Sequence, residues 1–354
     1  MSDVPDRVPD EVLDDLRRRL RDRRRVPVVG GGWSRGVDAA YLDDLLSYWA
    51  EEYDWRAAEE RIRALPWTRA AGLRLVHRRA TAEDAPVVVL LHGWPDSVLR
   101  FQRVLPLLQD LHVVVPALPG YPLSDSPGTA GALMAEPVAA ALQELGHDRY
   151  VVSGGDIGTS VAEALARLVP DRVTALHLTD VPSRVLGLIP EAERSAGERA
   201  FAQEVRAWTE AEGAYLHEQA TKPATLAVGL GDSPAGLAAW IVEKLRSWSD
   251  CDGDVEAAFP RDDLLTWITL YWVTGAIGTS FAPYAERLAP VRERVVAPTA
   301  VSLFPEDLLH APRELAERTF DVRVWDEQPA GGHFAAWERP EAFVASLRAA
   351  IALA

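Results

Sequence analysis

The stretch VVSGGDIGTS at 151–160 sets a carboxylate in the centre of a Gly-x-Asp-x-Gly spacing. After an apolar run, this is the spacing of a sharp strand-to-helix turn that presents a nucleophile, ordinarily a serine. Asp156 holds the central place here. Its ordinary reading is a helix N-cap, a position that Asp favours. The chemical reading rests on what a carboxylate does at a saturated carbon. A serine attacking such a carbon would leave an ether, which activated water does not easily cleave. A carboxylate leaves an ester, whose carbonyl carbon water can attack. Asp is ionised at neutral pH and needs no base to act as a nucleophile.

Three further segments supply what ester hydrolysis needs. PAGGHFAAWERPEAF at 329–343 puts His333 on a Gly-Gly loop between the last predicted strand and the last predicted helix. Most of the other histidines sit in runs that core packing or solvent explains. SLFPEDLLHAP at 302–312 follows the preceding strand and offers Glu306 and Asp307 as the acid that orients His333. His310, close by on a helix-like stretch, reads as structural. The order nucleophile, acid, histidine is that of the α/β-hydrolases. LLHGWPDS at 90–97 lies where that fold places a loop donating one oxyanion-hole N–H. Backbone N–H groups of Trp94 and Ile157 would then point at one spot and steady a tetrahedral intermediate. A plain turn accounts for Gly93 and Pro95 but not for their position.

A carboxylate nucleophile implies an electrophilic sp³ carbon, as in epoxides and alkyl halides. The leaving group separates these two. A halide departs unaided when N–H donors bind it, whereas an epoxide oxygen leaves as an alkoxide unless a donor helps. Neutral tyrosine hydroxyls, with pKa near ~10, suit that task.

The elements that position these residues follow from the pattern along the chain. PDEVLDDLRRRLRDRRR at 9–25 predicts a helix with acids early and arginines late, and its arginine run reads as a solvated face. Tyr41, Leu45, Trp49 and Tyr53 share a helix face, and a short helix follows, so the first 65 or so residues form a helical leader. Strand-like runs then appear at LRLVHRR, APVVVLLHG, LHVVVPALPG, DRYVVSGGD and RVTALHLTD, with helix-like stretches such as SVLRFQRVLPLLQDL and EPVAAALQELG between them. That alternation indicates a parallel sheet of βαβ units. From 183 to 290 the strands stop and helices follow one another; strands resume at APTAVSLF and FDVRVW. A helical block between two parts of one sheet reads as a lid.

Composition bounds the partners. The 354 residues carry a net charge of −16, which disfavours nucleic acid and anionic membrane surfaces. Cys251 is the single cysteine, so no internal disulfide forms. The charged N-terminus lacks a signal-peptide core, and no run approaches the ~20 apolar residues of a membrane helix. A soluble, cytoplasmic protein is expected.

Taken together, these motifs resemble the microsomal-type epoxide hydrolases over nearly the whole chain. YLDDLLSYWAEEYDWRAAEERIRALP looks like the leader signature of that family. HGWPDSVLRFQRVLPLL, GGDIGTSVAEALA, ATKPATLAVGLGDSPAGLAAWIVEKL, LYWVTGAIGTSFAPYAERL and GGHFAAWERPEAF look like its core and lid motifs. The resemblance implies two lid tyrosines that hold the epoxide oxygen. They fall on Tyr215, before the Thr-Lys-Pro motif, and Tyr284, in SFAPYAERL. Without the family, Tyr271 in TLYWVTG would be an equal candidate. The resemblance also favours Asp307 over Glu306 as the acid. Two departures stand out. Ile157 follows the nucleophile where the family often has Trp, and the segment between leader and HGWP is shorter than in many relatives. The missing Trp also weakens an alkyl-halide reading, because haloalkane dehalogenases use a Trp there as halide donor.

The expectation is an α/β-hydrolase fold with a mostly parallel sheet. Residues 1–68 would wrap the core as a helical N-terminal region, 69–182 and 291–354 would form the core, and 183–290 the helical lid. The expected activity is conversion of hydrophobic epoxides to vicinal diols, with Asp156 as nucleophile, His333 as base, Asp307 orienting it, and Tyr215 and Tyr284 as donors. Trp94 and Ile157 would form the oxyanion hole. A dehalogenase-like C–X hydrolase and a non-catalytic binding protein are the alternatives. No cofactor and no metal are expected. The partners are a small hydrophobic epoxide and water, with no nucleic acid and no membrane anchor, and with a homodimer left open.

Overall fold

Eight strands form one sheet in the order β1-β2-β4-β3-β5-β6-β7-β8. The computed structural model describes residues 2–286, 288–289 and 291–354. β1 (Trp67–Ala70) and β2 (Leu73–Arg78) are antiparallel to each other, and β2 is antiparallel to β4 (His112–Pro116). From β4 onward through β3 (Val87–Leu91), β5 (Tyr150–Gly154), β6 (Val173–Leu178), β7 (Pro298–Leu303) and β8 (Asp321–Glu327) every pairing is parallel. The central strands are Val- and Leu-rich and buried throughout, as strands covered on both faces must be. Parallel strands put all their carboxyl ends on one edge, and that edge is where an α/β sheet gathers a site.

The leader folds as α1 (Asp10–Arg21), α2 (Ala39–Glu51) and α3 (Trp55–Arg63). Leu13, Leu16 and Leu20 form the buried stripe of α1. Asp38 and Asp54 cap α2 and α3 by accepting from backbone N–H groups of their first turns. The arginines at the end of α1 and just after it pair with acids: Arg21 with Glu51, and Arg23 and Arg25 with Asp43. β1, unread in the sequence, begins at Trp67, so the expected boundary at 68 cuts into a strand.

α4 (Ala135–Glu144) and α5 (Ile157–Leu168) follow β4 and β5. The segment between β6 and β7, expected as a lid, contains α6 (Ala196–Glu212), α7 (Ala214–Thr221), α8 (Pro223–Asp232), α9 (Pro234–Ser247), α10 (Val255–Ala258), α11 (Arg261–Thr274) and α12 (Ala282–Ala285). α13 (Arg313–Thr319), α14 (Ala335–Glu338) and α15 (Pro340–Ile351) complete the chain. Rather than only wrapping the core, the leader grips the lid. α1 and α2 pack on α9, Tyr53 shares a hydrogen bond with Thr266, and the hydroxyls of Tyr41 and Tyr48 donate to Glu256 and Asp262.

Two local expectations are corrected. Residues 97–111, read as helix-like, form only two short 3-10 turns, at Val98–Phe101 and Leu105–Leu107. Pro106 lacks the N–H that a continuing helix would need there. His310 is not on a helix; it lies in the loop before α13, accepting no helical pairing and facing Glu204, whose Oε1 is 3.1 Å from Nδ1. Among the described residues no single helix is long and apolar enough to cross a membrane.

Candidate active site

β3 and β5 are neighbours in register, with Leu91 beside Gly154, so the loops that leave them meet. Asp156 heads α5 with φ 57° and ψ −125°, a strained conformation for a residue with a side chain. Its turn is possible because of its glycines: a Cβ at Gly154 would overlap the Gly158 carbonyl, and one at Gly93 would overlap Asp156 itself. Asp156 sits at the N-cap position, but its side chain makes no capping bond to the second or third N–H of α5. Oδ1 instead accepts from Trp94 N–H at 2.8 Å, and the Ile157 N–H also bonds this carboxylate. Of the two expected backbone donors, Trp94 N–H lies directly on Asp156 Oδ1.

His333 follows β8 and Asp307 follows β7, and these strands are paired neighbours. The Nδ1 of His333 lies 2.7 Å from Asp307 Oδ1. The two loops are pinned together by the Glu306 N–H, which donates to Gly331 O at 3.0 Å. Glu306 therefore serves through its backbone, and of the two candidate acids Asp307 reaches the ring. The His333 Nε2 is buried without a hydrogen-bond partner among the described residues, 3.9 Å from Asp156 Oδ2.

Electrostatics couples the three groups. Burial raises Asp156 above the ordinary carboxylate value, opposed by the charge of His333 and by the two N–H donors. Burial alone would push His333 down, but the charge and hydrogen bond of Asp307, with Asp156 adding, carry it above the usual histidine value. Asp307 ends below its ordinary value because His333 outweighs burial.

The lid brings Tyr215 on α7 and Tyr284 on α12 to the same cavity as Asp156, and both are buried. The Tyr215 ring stacks on Trp94 at 5.5 Å between centroids, and the Tyr284 ring meets Trp94 edge-on at 6.0 Å. Burial and the nearby Asp156 charge hold Tyr284 well above the ordinary phenol value, so it stays neutral. Tyr271 is elsewhere: its hydroxyl donates to the Asp96 carbonyl at 3.0 Å. The cavity has a volume of about 770 Å³ between core and lid.

Several supporting residues carried no signal that sequence reasoning used. Arg100 is buried, donates to Asp96 Oδ2 at 2.5 Å and also to the His333 carbonyl. Asp96 in turn accepts from Gly93 N–H at 2.8 Å, which ties the oxyanion loop to the histidine loop. Glu338 accepts from the N–H groups of Gly332, Phe334 and Asp250 and so fixes the backbone around His333. Asp180, at the end of β6, accepts from the Asp156 N–H at 3.1 Å. Burial pushes Asp180 up to about 7, with its bond from Thr159 opposing and the charges of Asp307 and Asp156 adding.

Comparison with known proteins agrees with this arrangement of elements. Residues 2–101 match the family model for the epoxide hydrolase N terminus, and 86–199 match that for the alpha/beta hydrolase fold. A chain from Stigmatella aurantiaca (strain DW4/3-1), assigned as an epoxide hydrolase, is 37% identical over 96% of this chain and 82% of its own length. The protein belongs to the epoxide hydrolase family. Epoxide hydrolase 1 of Oryctolagus cuniculus is 31% identical over 94% of this chain and 84% of its own length. The solved structure of Aspergillus niger epoxide hydrolase superposes with a TM-score of 0.85 at 29% identity, covering 99% of this chain and 96% of that one. The epoxide hydrolase chain thus keeps the α/β-hydrolase fold of its family along essentially its full described length.

Proposed function

We propose that this epoxide hydrolase opens its substrate through an ester on Asp156. The observation that carries the reading is a carboxylate, not a hydroxyl, at the elbow, with one oxygen on the Trp94 N–H at 2.8 Å and with Tyr215 and Tyr284 in the same cavity. An oxygen of Asp156 forms a bond to one ring carbon while that carbon's bond to the ring oxygen breaks. The two tyrosine hydroxyls hold the departing oxygen and supply the proton that makes it an alcohol. Water then attacks the ester carbonyl, giving its proton to His333 Nε2, while Asp307 holds the ring and stabilises the cation that forms. The negative oxygen of the tetrahedral intermediate rests on the Trp94 and Ile157 N–H groups. Cleavage of the acyl bond lets the departing oxygen take the proton held by His333 and releases a vicinal diol, and the proton left on the Asp156 acid passes back to the tyrosinate, which restores the carboxylate, the neutral histidine and both tyrosine hydroxyls.

A single turnover in heavy-oxygen water tests this. The first diol should carry no label, because its new oxygen comes from Asp156, and the label should reside in the peptide holding Asp156. Label entering the diol directly in that turnover sinks the ester route. Halide release from chloroalkanes, measured on the same preparation, tests the dehalogenase alternative; Ile157 brings no indole N–H to hold a halide.

A further inference from the structure

The cavity continues past the reacting residues. From Asp156 it follows α5 along Ile157, Ser160, Ala164 and Leu168, positions that share one helix face. At the rise of an α-helix, Ile157 to Leu168 spans roughly 16 Å. The volume of about 770 Å³ is in the range that holds a ligand much larger than a bare aryl epoxide.

A charged group stands part-way along this channel. Arg184, at the start of the segment leaving β6 for the lid, donates to Ser160 Oγ at 3.2 Å and to Glu163 Oε2. Glu163 also accepts from Arg167 Nη1 at 2.6 Å. Among the described residues, two guanidiniums therefore share the one Glu163 carboxylate. Arg184 has five N–H donors, of which two have partners among the described residues. Glu286 also borders the cavity, but it forms no ion pair with Arg184. Beyond the cluster the walls turn apolar again, with Leu168, Leu288 and Val291 at the rim.

A plain alkyl chain lying along α5 would cover the Arg184 donors and strip their water without replacing it, which disfavours binding. A chain with an oxygen acceptor at that height would restore the lost bonds. Ser160 and Glu163 lie roughly 4.5 and 9 Å past Ile157 along the helix axis. An extended chain advances about 1.3 Å per bond, so these two heights correspond to about three to seven bonds, and a group held between them lies about four to six bonds from the reacting carbon.

We infer that the substrate is an elongated epoxide bearing a carboxylate or carbonyl oxygen about four to six bonds from its ring, held by Arg184. This rests on Asp156 as the attacking group. Arg184 then determines specificity, and its contact binds ground state and transition state alike, so its effect falls on KM.

The test compares 1,2-epoxyhexane, 5,6-epoxyhexanoate and methyl 5,6-epoxyhexanoate with wild type, Arg184→Met and Arg184→Lys. In wild type, kcat/KM for both acceptor-bearing probes should exceed that for epoxyhexane by about tenfold, mostly through KM. In Arg184→Met the ratio should collapse towards one. Arg184→Lys keeps the charge without the fork, so it should retain preference for the carboxylate and lose it for the ester; it decides the matter if the Met variant does not fold. Equal kcat/KM for all three probes in wild type overturns the inference and leaves epoxide hydrolysis standing. So does a preference that Arg184→Met leaves intact. Diol from none of the probes overturns both.

Discussion

His333 Nε2 stands 3.9 Å from Asp156 Oδ2, too far for a hydrogen bond and close enough to face the carbon that an ester there would present. On the proposed ester route the histidine would act on the second half of the reaction rather than the first. Replacing it with Gln should leave ester formation largely in place and slow its hydrolysis by about 10²- to 10⁴-fold. Mass spectrometry of His333→Gln after brief exposure to an epoxide should show the chain heavier by one substrate. An unmodified chain would contradict this division of labour.

The Asp307–His333 pair sets the response to pH. Turnover should fall on the acid side as His333 takes up a proton, and in Asp307→Asn the midpoint should move to lower pH, because burial, the largest influence on the ring, then dominates. Stability follows the same groups. His333 is raised, so its contribution is full below its unfolded value near 6.5 and fades as pH rises through the folded one. Asp307 is lowered, so its contribution is full above 3.8 and fades as pH falls through its folded value. Denaturant unfolding at a series of pH values should show both slopes in wild type; in Asp307→Asn the Asp307 slope should vanish and the His333 slope should reverse sign.

The two lid tyrosines should matter before the ester exists. Tyr215→Phe and Tyr284→Phe should each slow ester formation by about 10²-fold in rapid-quench single turnovers, and the double variant should be slower still. Tyr271→Phe removes a bond to the Asp96 carbonyl instead and should cost about 1 kcal/mol of stability with little change in the chemical step.

Much of this was legible in the sequence, and the reasons differ by residue. Asp156, Asp307 and His333 sit at ends of neighbouring parallel strands, and apolar runs ending in Gly-rich turns mark such places plainly. Arg100, Asp180 and Glu338 carried no such mark, because each bonds backbone distant in the chain, at His333, Asp156 and Asp250, and Asp96 carried none because its partner Arg100 takes its meaning from the same distant contact. Arg100 reaches the carbonyl of His333 across 233 positions, and no local pattern records that. β1 was missed because Trp67–Ala70 is short and not apolar throughout. The grip of the leader on the lid was equally hidden, since a buried stripe on α1 does not say what covers it.

Arg100 and Asp96 form a buried ion pair whose members also hold the two loops of the site. Arg100→Met leaves Asp96 buried with its charge uncompensated and should lower stability by about 3–5 kcal/mol, seen as a fall in the denaturation midpoint.

Ile157 lines the cavity directly after Asp156, and its Cγ2 would lie 3.4 Å from a Cβ built on Gly131. Ile157→Trp should therefore narrow the channel along α5. The expected readout is a larger loss of kcat/KM for long epoxides than for short ones, measured on a homologous series. A uniform loss would place the effect on the elbow instead.

The negative charge of Asp156 is one of the influences that raise His333. Once Asp156 carries substrate as an ester, that charge is gone, and the ring loses part of its hold on a proton. On the proposed ester route, capture of the substrate would thereby loosen the hold of His333 on a proton and favour its acting as a base on the ester.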